Sequence, residues 1–214
     1  MAEKKTLDAV KKALEKSPKR NFRETVDLSI NLKEVDMSIP KNRIQEDIIL
    51  PHGRGKIVKV CVIGGPELAQ KAKGLADRVI TVEELGALAD DKKLAKKVAG
   101  QFDYFIAEAP LMPQVGKRLG IVLAPRGKMP KPIASGVDPK TMIDNLRKST
   151  TVRTKDKVTF HTPVGTTDMT PEELADNVDL IIKRLALKLE KGTNNIRSAY
   201  IKTTMGPAEK LIVV

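Results

Sequence analysis

Thr25-Val-Asp-Leu-Ser-Ile-Asn-Leu32 alternates without a break, with Val26, Leu28, Ile30 and Leu32 on one side and Thr25, Asp27, Ser29 and Asn31 on the other. A period of two is the signature of a half-buried strand, so one face must meet a core while the other stays polar. The far end of the chain continues in the same style. In Ser198-Ala-Tyr-Ile-Lys-Thr-Thr-Met-Gly-Pro-Ala-Glu-Lys-Leu-Ile-Val-Val214, β-branched and aromatic residues favour an extended chain up to Thr203. Met205-Gly206-Pro207 then breaks it, because glycine allows positive φ and proline cannot donate to a ladder. A hairpin with its turn near Gly206 is expected. Thr203 and Thr204 carry short hydroxyls suited to phosphate or ribose, Gly206 lets main chain approach a ligand closely, and Met205 offers a flexible apolar contact.

Working outward from these two stretches, Thr6 is expected to cap a helix with Leu7, Val10, Ala13 and Leu14 at helical spacing, ended by Ser17-Pro18. A second strand is expected from about Gln45 to Leu50, and period two resumes at Lys157-Val-Thr-Phe-His161. Thr170-Pro-Glu-Glu173 combines a capping box with proline at the first helical position. It opens an amphipathic pattern whose buried stripe is Leu174, Val178, Ile181, Leu185 and Leu189, with Gly192 as C-terminal cap.

From Ile57 the style changes. Ile57 to Ile63, Arg78-Val-Ile80 and Tyr104-Phe-Ile-Ala107 alternate with helices that start near Glu67, after Thr81 and at the basic stretch Lys92 to Val98. This is an α/β rhythm. The proline-rich stretch 124–132 is expected to interrupt regular structure, and Pro139 to open a further helix through Met142, Ile143 and Leu146. With this middle removed, the order helix, strand, strand, strand, helix, strand fits a split βαβ sheet built from both chain ends. The fold class expected is therefore α/β: residues 1–56 and 154–214 form a discontinuous split βαβ domain that carries the RNA site, and 57–153 an inserted three-layer α/β domain. Pro51 to Lys56 and Ser149 to Lys155 would be the linkers, with hinge motion between the domains.

The chain of 214 residues carries 39 Lys and Arg against 27 Asp and Glu, a net charge of +12 that suits a polyanionic partner. The densest local excess lies in residues 117–148, where Lys117, Arg118, Arg126, Lys128, Lys131, Lys140, Arg147 and Lys148 face only Asp138 and Asp144. A second RNA surface at Arg126, Lys128 and Lys131 is expected from it. The single cysteine, Cys61, sits in an apolar run and is expected to be buried in a reducing cytosol. No stretch has signal-peptide or membrane-spanning length, so a cytoplasmic protein with no membrane partner is expected.

Catalytic signatures are weak. Ile63-Gly-Gly-Pro-Glu67 after a strand suggests a nucleotide turn, but Pro66 removes one N–H donor and the remaining glycines of the fingerprint are missing. His52 and His161 have no cysteine partner at metal spacing, so neither metal nor cofactor is expected. An enzyme using nucleotides or sugar phosphates in the α/β insert is the alternative to an RNA-binding protein. With two tyrosines, four phenylalanines and no tryptophan, the chain is poor in the stacking platforms that splay single strands, so it is expected to read a folded RNA by shape.

Five strings occur in order along nearly the whole chain: Asn21-Phe-Arg-Glu-Thr25, Leu50-Pro-His-Gly-Arg-Gly-Lys56, Pro125-Arg-Gly-Lys-Met-Pro130, His161-Thr-Pro-Val-Gly165 and Thr203-Thr-Met-Gly-Pro207. Their ordered set resembles the universal family of large-subunit ribosomal protein one, in an archaeal-type form. The resemblance implies a split βαβ domain with a Rossmann-like insert, no catalysis, and a monomer off the ribosome. The partners it implies are large-subunit rRNA at a mobile stalk, exit-site tRNA whose release it assists, and the protein's own mRNA, which it represses. Carried over by motif, Phe22, Thr25, His161, Ser198, Thr203, Thr204, Met205 and Gly206 would line the rRNA site. For Phe22 a core position at the strand start is the competing expectation.

Overall fold

The computed structural model describes residues 4–154 and 157–212. Lys155 of the expected linker and Val213-Val214 of the last stretch lie outside them. The chain divides into two compact units, residues 1–56 with 148–214 and residues 57–147.

In the first unit the alternating stretch is strand β1 (Thr25–Leu32), and its apolar positions are all buried while its polar ones are half-exposed. It sits inside a four-stranded antiparallel sheet, paired on one side with β8 (Thr159–Thr166) and on the other with β9 (Ile196–Thr203), which pairs in turn with β10 (Glu209–Leu211). Both neighbours of β1 come from the other end of the chain. Helices α1 (Lys4–Glu15) and α7 (Pro171–Lys188) cover one face, packing Val10, Ala13, Leu174, Val178, Ile181 and Leu185 on the buried side of the strands. The Thr170 capping box is formed, but Gly192 is a correction: α7 ends on Leu189 as its C-cap, and Gly192, with a left-handed φ of 57°, opens the short 3-10 turn that follows. Thr6 is a correction: it lies inside α1 and is buried, donating its hydroxyl to Asp179 Oδ1 at 2.7 Å, so it ties two helices together instead of capping one.

Strand β2 (Gln45–Ile49) does not join the main sheet. It pairs with β7 (Ser149–Arg153), the stretch expected to be a linker and placed in the insert. Thr150 explains the attachment, because its buried hydroxyl donates to Pro163 O at 2.9 Å on β8. The chain therefore re-enters the first unit at residue 148.

The second unit holds a parallel sheet of order β4-β3-β5-β6, from Arg78–Ile80, Val60–Ile63, Tyr104–Glu108 and Lys131–Ile133. Alternate strand residues feed two cores. Cys61, Ile63 and Phe105 pack under α3 (Val82–Asp90), α4 (Lys92–Gln101) and α5 (Met112–Leu123), and Val60, Val62 and Ile106 under α2 (Pro66–Ala72) and α6 (Lys140–Lys148). Two elements defied expectation: helix α5 was hidden, and the proline-rich stretch contains β6. An edge strand tolerates Pro132 because it needs no donor on its outer side. Among the described residues, no helix is long and apolar enough to cross a membrane.

Buried Asn177 holds the outgoing crossing against the core. Its Nδ2 donates to Gly53 O at 2.9 Å and Val164 O at 3.0 Å, and its Oδ1 accepts from His52 N. Asn177→Ala is expected to lower the unfolding free energy of this unit by about 1–3 kcal/mol, since it strands buried polar groups. Urea titration followed by circular dichroism measures it, and an unchanged midpoint would refute the assignment.

Candidate nucleic-acid interface

The face of the sheet away from α1 and α7 is open. Because residues two apart share a face, β1 presents Thr25, Asp27, Ser29 and Asn31 there. The register sets His161 beside Ser29, Tyr200 on its other side, Lys202 beside Asp27 and Ser198 beside Asn31. Of the expected site residues, Thr25, His161 and Ser198 thus share one surface, which runs about 20 Å along β1 at roughly 3.3 Å per residue. That suits a folded polymer better than a mononucleotide. Asp27 is the acid within the surface; burial pushes its carboxyl up, against the opposing pull of Lys202, His161 and Arg54.

A hydrogen-bond relay sets the chemistry of Ser198. Thr159 Oγ1 donates to Asn31 Oδ1 at 2.8 Å, which turns the amide so that Nδ2 donates to Ser198 Oγ, also at 2.8 Å. With one lone pair accepting from Asn31, the Ser198 hydroxyl keeps its proton to donate to a phosphate or ribose oxygen, with a second lone pair beside it. The sequence reading missed Asn31, although its place in the polar row of β1 was visible.

Thr204 is different. Its Oγ1 accepts from Thr25 N at 3.1 Å and donates to Thr25 O at 3.2 Å, completing the ladder beyond the end of β9. Its one proton is engaged, and what it offers a ligand is a lone pair. Met205 beyond it is 59% exposed and Phe22 is 53% exposed, which decides against the core reading of Phe22. An open groove of about 640 Å³ runs beside them, lined in part by Ser17, Pro18, Lys19, Arg20, Asn21 and Phe22.

Beneath this hairpin lies a buried polar node. Thr203 is 0% exposed and faces inward with Ala199 and Ile201, so it is removed from the contact surface on which it was expected. Its hydroxyl accepts from Gly206 N at 3.0 Å and bonds Ser17 Oγ at 2.9 Å. Gly206 is needed for closeness and not for φ: it lies outside the positive-φ glycines, but a Cβ there would run into Thr203 Oγ1 and come within 3.0 Å of Ser17 Oγ. Glu24 completes the node, paired with Arg20 Nε at 2.8 Å and accepting from Met205 N. The Thr203 hydroxyl foremost, then the Met205 N–H and the Arg20 guanidinium, hold its carboxyl below the usual range, against burial, which pushes it up.

The second unit is less inviting. Arg126 Nη1 donates to Val122 O at 2.9 Å at the end of α5. Lys128 Nζ donates to Ala99 O and Phe102 O at 3.0 and 2.6 Å at the end of α4, and Lys131 lies over the Tyr104 ring. All three have structural engagements that the sequence did not reveal. At the carboxyl ends of β3 and β5, where open α/β sheets bind ligands, Glu108 accepts from Gly65 N at 2.8 Å and Ser135 Oγ at 2.6 Å. An internal carboxylate already occupies the anion position of the turn considered for nucleotides. Burial pushes the Cys61 thiol up to about 12, which leaves no thiolate for nucleophilic work. Among the described residues, no group of three or more His, Cys, Asp or Glu is placed to hold a metal.

A depressed folded pKa at Glu24 stabilises the hairpin fully above the ordinary value of 4.5 and loses that contribution as pH falls through the folded value. The Gly206 amide resonance is therefore expected to stay constant from neutrality down to that value and to move below it. Glu24→Gln should abolish the movement, and a Gly206 titration that survives the substitution would refute the node.

Similarity to known proteins extends over nearly the whole chain. The family described as "Ribosomal protein L1p/L10e family" matches residues 12–207. "Large ribosomal subunit protein uL1" of Methanocella arvoryzae is 56% identical over 213 residues, covering 99% of this chain and 100% of that protein. Proteins of the same name from Thermoplasma acidophilum and Methanosarcina barkeri are 51% and 50% identical, covering 95% and 99% of this chain and 94% and 100% of their own lengths. On a match that takes in both units and the Thr203–Pro207 turn, the chain belongs to the ribosomal protein L1 family, a non-enzymatic family of the large ribosomal subunit.

Proposed function

We propose that the protein is a structural component of the large ribosomal subunit that binds large-subunit rRNA at a mobile stalk through the open face of its first unit. The observation that carries this reading is the outward-donating Ser198 hydroxyl, set by Asn31 and Thr159 and placed on one surface with Thr25 and His161. Phe22 and Met205 supply exposed apolar contacts at one end, and Lys202 and Arg20 supply cations. A surface of donors, one committed acceptor and few aromatics suits ribose hydroxyls and phosphates of a prefolded RNA, where shape selects the partner.

The same logic supports repression of the protein's own mRNA, because a site that reads folded backbone accepts any transcript that copies the fold. Assistance to the release of exit-site tRNA is the third role in this proposal, supported by the +12 charge available to further RNA. The rRNA and tRNA roles belong to the ribosome-bound protein and the mRNA role to the free protein, a monomer, all in the cytoplasm.

Binding to a stalk rRNA fragment tests the assignment. Ser198→Ala is expected to weaken it by about 1.5 kcal/mol, roughly tenfold, with a loss of stability of about 1 kcal/mol from the Asn31 bond that leaves the protein folded. Met205→Ala should cost about 1 kcal/mol in affinity alone, whereas Thr204→Ala should lower affinity and hairpin stability together. Full affinity in folded Ser198→Ala would remove the site. An mRNA leader that binds without displacing the rRNA fragment would refute the shared surface, and saturable binding of ATP or NAD would revive the enzyme reading.

A further inference from the structure

Helix α4 is built against the rules its neighbours obey. Helices α3 and α7 each place two glutamates in the first turn, Glu83 with Glu84 and Glu172 with Glu173, where the positive end of the helix dipole favours them. In α4 the first turn holds no acid and carries Lys92 and Lys93. Lys96 and Lys97 follow one turn later, so two like-charge pairs stand at the i,i+4 spacing that destabilises a helix. Helix α1 is also lysine-rich, but Asp8 stands four residues from Lys4 and Lys12, and Glu15 four from Lys11. No carboxylate within α4 plays that part, and only its N-cap Asp91, which accepts from Lys93 N and Leu94 N, relieves the N-terminal end.

All four lysines are exposed, and among the described residues none is in an ion pair. The cation that the C-terminal end of α4 needs comes from elsewhere, through Lys128 on Ala99 O and Phe102 O. Helix α5 packs beside α4 on the same side of the sheet and also exposes Lys117 and Arg118, the Arg118 guanidinium lying over Gly86 of α3. The rows Lys92–Lys96 and Lys93–Lys97 each rise about 6 Å, giving a regular array of cations on a rigid element. Ala95, Val98 and Ala99 of α4 are buried in the core, which leaves Leu94 as the single large apolar side chain that α4 exposes, short of the continuous apolar face that a lipid surface needs.

We propose that the outward face of α4, with Lys117 and Arg118 of α5, is a second RNA-binding surface that follows the phosphate backbone of double-helical RNA without reading its sequence. The unfavourable charge arrangement is relieved when phosphates neutralise it. The choice of RNA among polyanions rests on the proposed ribosomal function. The surface uses other residues than the open sheet face, and other cations than Arg126, Lys128 and Lys131, each of which already has a contact within the second unit.

The test uses the full chain and an arbitrary RNA duplex of about 20 base pairs, with anisotropy measured across a salt series. The variant replaces Lys92, Lys93, Lys96 and Lys97 by Gln, and the control replaces Lys4, Lys5, Lys11 and Lys12 by Gln for the same change in net charge. Each phosphate contact contributes about 0.9 to the salt slope, so the α4 variant, which removes four, is expected to lose about 3.6 from it and at least tenfold in affinity at low salt. The control should lose much less, and binding of the stalk rRNA fragment should change less than twofold in the α4 variant. Equal losses in variant and control would reduce the effect to net charge and overturn the surface, as would an unchanged α4 variant. Loss of rRNA-fragment binding by Ser198→Ala with duplex binding intact would keep the two surfaces distinct.

Discussion

A buried hydroxyl pins the hairpin turn at one end of the chain to the segment that leads into β1 from the other. Thr203 Oγ1 bonds Ser17 across 186 positions of sequence and accepts from Gly206 N, while Glu24 draws on the same hydroxyl and reaches Met205 N. Everything exposed at the end of the sheet, Phe22, Thr25, Thr204 and Met205, is held in place by groups that no ligand touches. The arrangement is possible at modest entropic cost because loop closure grows only logarithmically with length, about 0.6 kcal/mol for each doubling. A second unit can therefore sit between the halves of the first without undoing it.

A binding surface made this way is set before the ligand arrives. Ser198, accepting from Asn31, still has its proton to give, whereas the proton of Thr204 is engaged by the Thr25 carbonyl and only a lone pair is left. Two hydroxyls of similar chemistry thus offer different groups, which discriminates between partner groups by geometry more than by charge. The cost of ordering is met in folding, so less of the interaction energy is spent when RNA binds. The absence of an anion vacancy at Glu108, and a Cys61 thiol held protonated, fit a protein whose work is positioning.

Much of the fold was legible because its signals are local. The alternation of β1, the Thr170 capping box and the stripe of α7 depend on neighbouring residues alone, and so does the hairpin turn. Thr203 was misplaced although the parity of β9 contained the answer, since it shares a face with Ala199 and Ile201 while Ser198, Tyr200 and Lys202 share the other. Helix α5 was obscured by Pro113, Gly116 and Gly120, which tertiary packing of Val115, Leu119 and Val122 overrides. The roles of Lys128 and β7 could not be read at all, because each depends on a partner far away in sequence, the α4 carbonyl end for the cation and β2 for the strand, whereas Arg126 turns back on Val122 O only four residues before it.

Hydroxyl-radical footprinting of the protein with and without a large-subunit stalk rRNA fragment tests the central claim directly, because Phe22, His161, Tyr200 and Met205 all carry oxidisable side chains on the proposed surface. The account predicts that these four are protected together on binding, while exposed Met129 of the second unit keeps its free-protein reactivity. Equal oxidation of the four residues with and without bound RNA would contradict it.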